Sequence, residues 1–527
     1  MLKAELYHTK EYFVTQFREI GCKKNRVAKY MEIDYEGQKG RNMEKIKFIG
    51  SLEAAQKCID DAVAKIPAYQ KFLSSEGKTG KEPFFELPYT SKDSYLKKFP
   101  YEELLPTPLC NNVSIFSSSG SSGKKPFYWV YLKEQLLDTR AKGYLENLFA
   151  IDKKKTLFIV GLSLGSWVGG DPMSFTIKTL ALTADYPVTV ITPGTNLDEI
   201  ITVINDFGKF FDQLILLTSP TVLAHVILMA EHEKKELHLP KMRYVLFEEG
   251  FTEDFRIALQ KKANVPETEP LAYSLYASAD TFAIGLESPG SIALRKLCFH
   301  NRSFADSIGI EPDLPHFFHV TAKNALIESK GDELCVTRWQ GVPLMRYNLR
   351  DRAYLYSWAK VQEAVKEYKF TSPDDQKFAA IIGACPSQLP DLVIVFGRAD
   401  SCINLGGTKI YEYLMDDVIR SAELSPYLTG LYNAKLAFEG IHSYVDMVVE
   451  IKENVKESPE LIGKIEDLIE MKLADLNQEF RNDYEKLYKN RAKMMGLKSV
   501  KLRTVCWPAL SSKAETTIKI RGITPTD

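Results

Sequence analysis

From Ser51 the apolar residues Leu52, Ala55, Cys58, Ile59 and Val63 recur at three- and four-residue spacing, the period of an amphipathic helix. Between about 155 and 275 the pattern alternates. Short runs rich in β-branched and aromatic residues (Thr156–Val160, Val188–Thr192, Leu214–Thr218, Arg243–Phe247 and Ala272–Tyr276) are separated by helical stretches such as Leu197–Phe207 and Pro220–Glu231. Such alternation predicts βαβ units, and hence an α/β fold with a largely parallel sheet covered by helices. From about 300 to 355 the strands are short and turn-linked, as in an antiparallel subdomain. A polar stretch at about 357–390 reads as an insertion. The roughly 130 residues after Gly397 carry helices of their own, notably 461–493, enough for a small separate domain. Residues 1–50 are polar and charged and yield no assignable element.

Composition narrows the class. With 527 residues, 45% of them hydrophobic and 26% charged, the chain can bury large cores. Single cores rarely grow past roughly 250–300 residues, so two or three domains are expected. A formal net charge of -1 argues against nucleic acid as a main ligand. The richest apolar run, Thr221–Ala230, contains His225 and falls short of the ~20 residues a membrane span needs. The first residues, Met1-Leu2-Lys3-Ala4-Glu5, hold no apolar region of a secretory leader. Eight cysteines are scattered without a close pair at metal-ligand spacing, so reduced thiols in a cytoplasmic protein are expected.

The most informative local feature is Ser117-Ser118-Ser119-Gly120-Ser121-Ser122-Gly123-Lys124-Lys125-Pro126. Glycine lets backbone amides turn inward on an anion, serine adds hydroxyl donors and lysine adds charge, which together make a phosphate cradle. It is not a Walker loop, which has four residues between its glycines and Ser or Thr directly after the lysine. A flexible Ser/Gly linker would share this composition. The strand-like Phe127-Tyr128-Trp129-Val130 that follows favours an ordered loop.

This loop resembles the S-S-G-T-T-G-x-P signature of the adenylate-forming superfamily of acyl-CoA ligases, adenylation domains and luciferases. Upstream, Ile66-Pro67-Ala68-Tyr69-Gln70, Leu87-Pro88-Tyr89-Thr90-Ser91-Lys92 and Phe99-Pro100 are similar to stretches of the phenylacetate-CoA ligase branch. Downstream, further matches follow in family order. Phe247-Glu248-Glu249-Gly250 resembles an acidic turn near the adenine, and Tyr276-Ala277-Ser278-Ala279-Asp280 stands in place of Y-G-x-T-E. Gly331-Asp332-Glu333-Leu334 with Thr337, then Pro343-Leu344-Met345-Arg346-Tyr347 through Asp351, resemble G-E-L-x-x-T and P-L-I-R-Y-R-T-G-D. Gly397-Arg398-Ala399-Asp400 with Gly406-Gly407-Thr408-Lys409-Ile410 resembles the hinge signature, and Thr516-Thr517-Ile518-Lys519-Ile520 the segment bearing the catalytic lysine.

The resemblance implies three regions: residues 1–50 as an unassigned extension, 51–398 as an adenylation domain of several subdomains, and 399–527 as a small, mobile α+β C-terminal domain on a hinge. It implies activation of a small carboxylic acid by ATP and Mg2+ to an acyl-AMP, then transfer to coenzyme A. Ser119, Gly120, Ser121, Ser122, Gly123 and Lys124 would hold the β- and γ-phosphates, and Asp280 the metal. Glu249 and Tyr276 would lie at the adenine, Asp351 at the ribose hydroxyls and Arg398 at ribose or phosphate. Lys519 would neutralise charge in the adenylation step, Asp400 would be the pivot, and Ser163, Gly165 and Trp167 would line the acid pocket. Four positions depart from the family pattern: Ala279 replaces Thr, Asp280 replaces Glu, and Arg350 and Ile518 replace Gly. Two other readings stay open: an adenylating enzyme that loads a separate carrier protein or an amine, and a nucleotide-binding protein without turnover.

Overall fold

Strand-like runs separated by helical stretches fold as parallel strands because each connecting helix carries the chain back over the sheet. The computed structural model describes residues 30–36, 43–111, 114–118, 127–136, 140–310, 315–321, 324–398, 402–406, 408–477, 480–481, 496–507, 509–510 and 522–523. In chain order the strands are β1 (Tyr30–Glu36), β2 (Met43–Gly50), β3 (Ser114–Ser117), β4 (Tyr128–Tyr131), β5 (Thr156–Gly161), β6 (Val188–Ile191), β7 (Gln213–Thr218), β8 (Met242–Leu246) and β9 (Ala272–Ser278). They continue with β10 (Phe282–Leu286), β11 (His316–Val320), β12 (Ala325–Lys330), β13 (Glu333–Arg338), β14 (Leu344–Tyr356) and β15 (Leu392–Arg398).

Among the described residues, thirteen of these strands form one mixed sheet in the order β1-β2-β12-β13-β14-β15-β11-β10-β9-β8-β7-β5-β6, while β3 and β4 pair apart as a hairpin. The β6-β5-β7-β8-β9 half is parallel, as the alternation predicts. Strands β5 and β7 are buried along their whole length, the pattern of a sheet covered on both faces. One face packs the helices Leu197–Phe207 and Pro220–Glu233 through Ile200, Ile204 and Val226. The other packs Gly170–Thr183 through Ile177. Both helices on the first face start at side-chain caps: Asn196 accepts from Glu199 N, and Ser219 from Val222 N.

From β9 onward the pairing is antiparallel out to β1. Two stretches differ from the sequence reading. Tyr30–Glu36 and Met43–Gly50, in the region without assignable elements, are sheet strands, and β2 pairs with β12. Of the two, β1 is the rim of the sheet, where strand periodicity need not show. The polar stretch 357–390, read as an insertion, is folded and packed. It forms the helices Trp358–Glu367 and Pro373–Ala384, which bury Trp358, Val361, Phe378 and Ile382 in a shared core with Leu294 and Leu297.

After β15 a smaller unit begins. It contains the hairpin β16 (Cys402–Leu405) and β17 (Thr408–Tyr411), and a sheet of β18 (Leu428–Glu439), β19 (His442–Ile451), β20 (Val500–Cys506) and β21 (Gly522–Ile523) in the order β20-β19-β18-β21. Its own core joins Ile403, Val418, Tyr432, Val449 and Ile469. The helix expected over 461–493 runs Pro459–Leu476 and ends at Asn477; residues 482–495 lie outside the described residues. No helix among the described residues is long and apolar enough to cross a membrane.

Candidate active site

The carboxyl ends of parallel strands are where an open α/β sheet leaves a crevice, and four segments leave strands there, three of them singled out by the resemblance. Segment 162–170 follows β5, Ser219–Thr221 follows β7, the turn 247–251 follows β8, and Ala279–Thr281 follows β9. Ser163 and Trp167 are half-buried and Gly165 is exposed. Gly165 has φ 90, a left-handed turn that suits glycine. Trp167 bridges to Ser117, Ser117 N donates to Ser166 O at 2.6 Å, and Val168 N donates to Ser117 O at 3.3 Å. The segment expected to line the acid pocket is thus zipped to the strand that runs into the Ser/Gly loop. Ser119, Gly120, Ser121, Ser122, Gly123 and Lys124 lie outside the described residues. The base of the loop is closed, with Ser118 N donating to Phe127 O at 2.9 Å and Phe127 N to Ser118 Oγ at 3.2 Å.

Two tyrosine–aspartate bonds organise the centre. Tyr276 OH donates to Asp351 Oδ2 at 2.5 Å, and Tyr347 OH donates to Asp280 Oδ2 at 2.7 Å. Each tyrosine therefore holds the aspartate that lies four residues beyond the other tyrosine. Gln340 Nε2 donates to Asp280 O at 2.7 Å, and Arg338 Nη1 to Thr281 O at 2.9 Å. One face of Tyr276 is covered by Phe318, stacked at 5.4 Å between centroids. The loop-bearing hairpin abuts this centre: Tyr131 meets Phe282 edge-on at 6.0 Å, and Gly341 N donates to Gln135 Oε1 at 3.1 Å. A Cβ at Gly341 would lie 2.0 Å from Val130 O, so only glycine permits that approach. The base of the loop, Asp280 and Asp351 accordingly share one contiguous region.

Asp351 and Arg398 are direct cross-strand partners in the β14–β15 pairing. Asp400 and Lys519 lie outside the described residues. Arg350, standing for glycine, has φ 57, and Glu248, Phe282 and Arg346 also have positive φ. Each of these four lies within a few residues of a matched acid or tyrosine.

Glu249, expected beside the adenine, has both carboxylate oxygens engaged by backbone amides. Oε1 accepts from Thr221 N at 2.7 Å and Oε2 from Gly406 N at 2.6 Å. Thr221 begins the helix Pro220–Glu233, where a carboxylate is favoured by unpaired N–H groups and the helix dipole. Gly406 is the tip of the β16–β17 hairpin, so the bond joins the large sheet to the smaller unit. Asn404 Nδ2 donates to Glu248 O at 2.7 Å, Thr221 Oγ1 meets Ser443 Oγ at 2.8 Å, and His225 meets the ring of His442 edge-on at 5.8 Å.

A buried ionic cluster fixes the turn that carries Glu249. Arg256 grips Glu287 through Nη2 at 3.0 and 3.1 Å, and Arg295 Nη2 donates to Phe251 O at 2.8 Å. Phe251 N donates to His316 Nε2 at 3.2 Å, which leaves the ring proton on Nδ1, facing Glu287 at 3.3 Å. Burial pushes the Glu287 carboxyl up, but Arg256, His316 and Arg295 outweigh it and hold it at about 2. Burial lowers His316 to about 4, consistent with a neutral ring.

The sequence reading named Asp280 and Asp351 but gave no role to Tyr347, Gln340, Thr221 or Gly406. Tyr347 and Gly406 lie inside matched motifs, so the signal was present without its geometry. The Asp280 carboxylate suits a hard divalent cation, which takes oxygen ligands and needs few carboxylates when it also meets phosphate, although no cluster of three or more metal-ligating side chains occurs among the described residues. Besides the carboxylate, Gln340 Oε1 is buried and meets no hydrogen-bond partner among the described residues.

No known family profile and no curated protein sequence matches the chain. Solved structures do. A 2-hydroxyisobutyryl-CoA ligase in complex with 2-HIB-AMP and CoA, in the thioesterification state, is 11% identical, covers 88% of this chain and 91% of its own, and has a TM-score of 0.51. The acyl acid amido synthetase GH3.15 in complex with 2,4-DB is 12% identical over 91% and 92%, with a TM-score of 0.41. A malonyl-CoA ligase with methylmalonyl-CoA and AMP bound is 13% identical over 74% and 70%, with a TM-score of 0.37. In its large mixed sheet and smaller C-terminal sheet unit, this chain has the fold of the adenylate-forming ligases.

Proposed function

We propose that this chain is an AMP-forming acid–thiol ligase of the phenylacetate-CoA ligase type, making an acyl-AMP from ATP and a carboxylic acid and then a thioester with coenzyme A. The observation that carries this reading is the pair of aspartates, Asp280 and Asp351, held by Tyr347 and Tyr276 beside the loop-bearing hairpin. A carboxylate that attacks the α-phosphate meets charge repulsion, so positioning and neutralisation supply most of the catalysis. In this reading Ser119–Lys124 hold the β- and γ-phosphates, Tyr276 stacks on the adenine, and Asp351 accepts from the ribose hydroxyls. Asp280 holds Mg2+, which neutralises phosphate charge when bound. Arg398 contacts ribose or phosphate, and Lys519 faces the charge that develops as the acid oxygen bonds phosphorus and pyrophosphate leaves.

In the second half-reaction the thiol sulfur attacks the acyl carbon, its proton is lost, and AMP departs with the electron pair of the broken carbon–oxygen bond. Asp400 is the pivot that lets the C-terminal unit exchange Lys519 for another face, with Glu249 clasping that unit while it is docked. The acid lies along Ser163, Gly165 and Trp167, where small residues leave room and Trp167 forms a wall. ATP–pyrophosphate exchange with a panel of acids tests the first step. AMP release with thioester formation on adding coenzyme A tests the second. Exchange without coenzyme A-dependent AMP release would assign the acyl group to a separate carrier protein or an amine, and no exchange with any acid would leave a nucleotide-binding protein. Lys519→Ala should cut exchange by orders of magnitude while ATP still binds, as measured by calorimetry.

A further inference from the structure

The short side chain of Asp280 needs help that a longer acid would not. An aspartate carboxylate turns about two side-chain torsions, and a cation between it and a phosphate tolerates little misplacement. In this structure Asp280 is held at both ends by the β13–β14 connection and β14. Gln340 Nε2 fixes its backbone oxygen at 2.7 Å, and Tyr347 OH fixes Oδ2 at 2.7 Å. Tyr347 is 1% exposed, so its ring is held by packing rather than by solvent.

The backbone of Tyr347 is itself clamped from a distant segment. Thr90 N donates to Arg346 O at 3.2 Å, Asn348 N donates to Thr90 O at 2.9 Å, and Thr90 Oγ1 donates to Met345 O at 2.8 Å. Thr90 thus bonds on both sides of Tyr347, and it belongs to the Leu87–Lys92 stretch for which the proposed chemistry provides no task. We propose that Tyr347 is a positioning residue for the cation-binding carboxylate, aimed by the Thr90 clamp, so that one oxygen of Asp280 is occupied by the phenol and the other is presented to the metal. This rests on the reading of Asp280 as the metal acid, and the test separates the two.

The measurement is binding of Mn2+ to the full chain with ATP present and no acid, followed by the relaxation of water protons. Wild type, Tyr347→Phe, Asp280→Asn and the double variant are compared, with urea unfolding to verify that each is folded. A hydrogen bond to a charged group is worth about tenfold or more in affinity. Tyr347→Phe should therefore weaken Mn2+ binding about tenfold. The double variant should bind no worse than Asp280→Asn, because a residue that acts only through Asp280 has nothing to hold once the charge is gone. Wild-type affinity in Tyr347→Phe, or losses that multiply in the double variant, would overturn the positioning role while leaving Asp280 as the metal acid. Wild-type affinity in Asp280→Asn would remove Asp280 itself, and the proposed metal site with it.

Discussion

Arg350 stands where the resemblance expects glycine, and its backbone takes the glycine conformation regardless, at φ 57. Holding a residue with a side chain there costs of order 1 kcal/mol. Asn348 Oδ1 accepts from Arg350 N at 2.7 Å and helps to keep the turn. The contact of Arg350 with Asp93 is exposed and contributes little. Arg350→Gly should therefore raise stability by about 0.5–1 kcal/mol in urea unfolding, and β-branched Arg350→Val should lower it by about 1–2 kcal/mol. Buried histidines set a second residue-scale expectation. Burial outweighs the hydrogen bonds that favour their charged forms and lowers His225, His316 and His319 to about 4. In the unfolded chain they protonate near 6.5, so the unfolded state binds more protons below that pH. Their contribution to stability is present above about 6.5 and is lost as pH falls to about 4. Each histidine loses roughly 1 kcal/mol for every pH step of one across that window. Glu287, held at about 2, adds a further loss only below about 4.3. A urea midpoint that stays constant from pH 7 down to 4 would contradict this assignment.

At the scale of elements, the segment 162–170 depends on one close approach. A Cβ at Gly170 would lie 2.0 Å from Ser163 O, which is backbone and cannot rotate away. Gly170→Ala should cost about 1–3 kcal/mol and should raise the KM for the acid more than that for ATP, since it displaces Ser163 rather than Asp351. Equal changes in both KM values would argue against an acid pocket there. Elements of this kind were legible in sequence to different degrees. Leu197–Phe207 is a helix with the boundaries its period predicts, because a strong amphipathic repeat and an Asn cap act locally. Trp358, Val361 and Val365 also carry a helical spacing; the charges between them masked it as an insertion. Strand β1 was not legible, since a rim strand needs no continuous apolar face. The order of the motifs singled out Asp280 and Asp351 as candidates. The bonds from Tyr347 and Tyr276 span 67 and 75 residues and follow from the sheet's register, which no local pattern encodes.

Across the whole molecule, Glu249 is the charged group that ties the large sheet to the smaller unit at Gly406. Removing an acceptor from two amides costs roughly 1–3 kcal/mol for each donor left unmet. Glu249→Ala should therefore loosen docking: the radius of gyration in X-ray scattering should rise, and trypsin should cut after Arg398 several-fold faster. An unchanged radius and an unchanged cleavage rate would show that the clasp does not hold the unit. The register of β14 and β15 adds one more consequence. Because Asp351 and Arg398 occupy the same rung of the sheet, a sugar held by Asp351, as proposed, would stiffen the last strand position before the chain turns into the C-terminal unit. Occupancy of the pocket and the freedom of that unit would then be coupled through a single ladder step, with no relay of side chains between them.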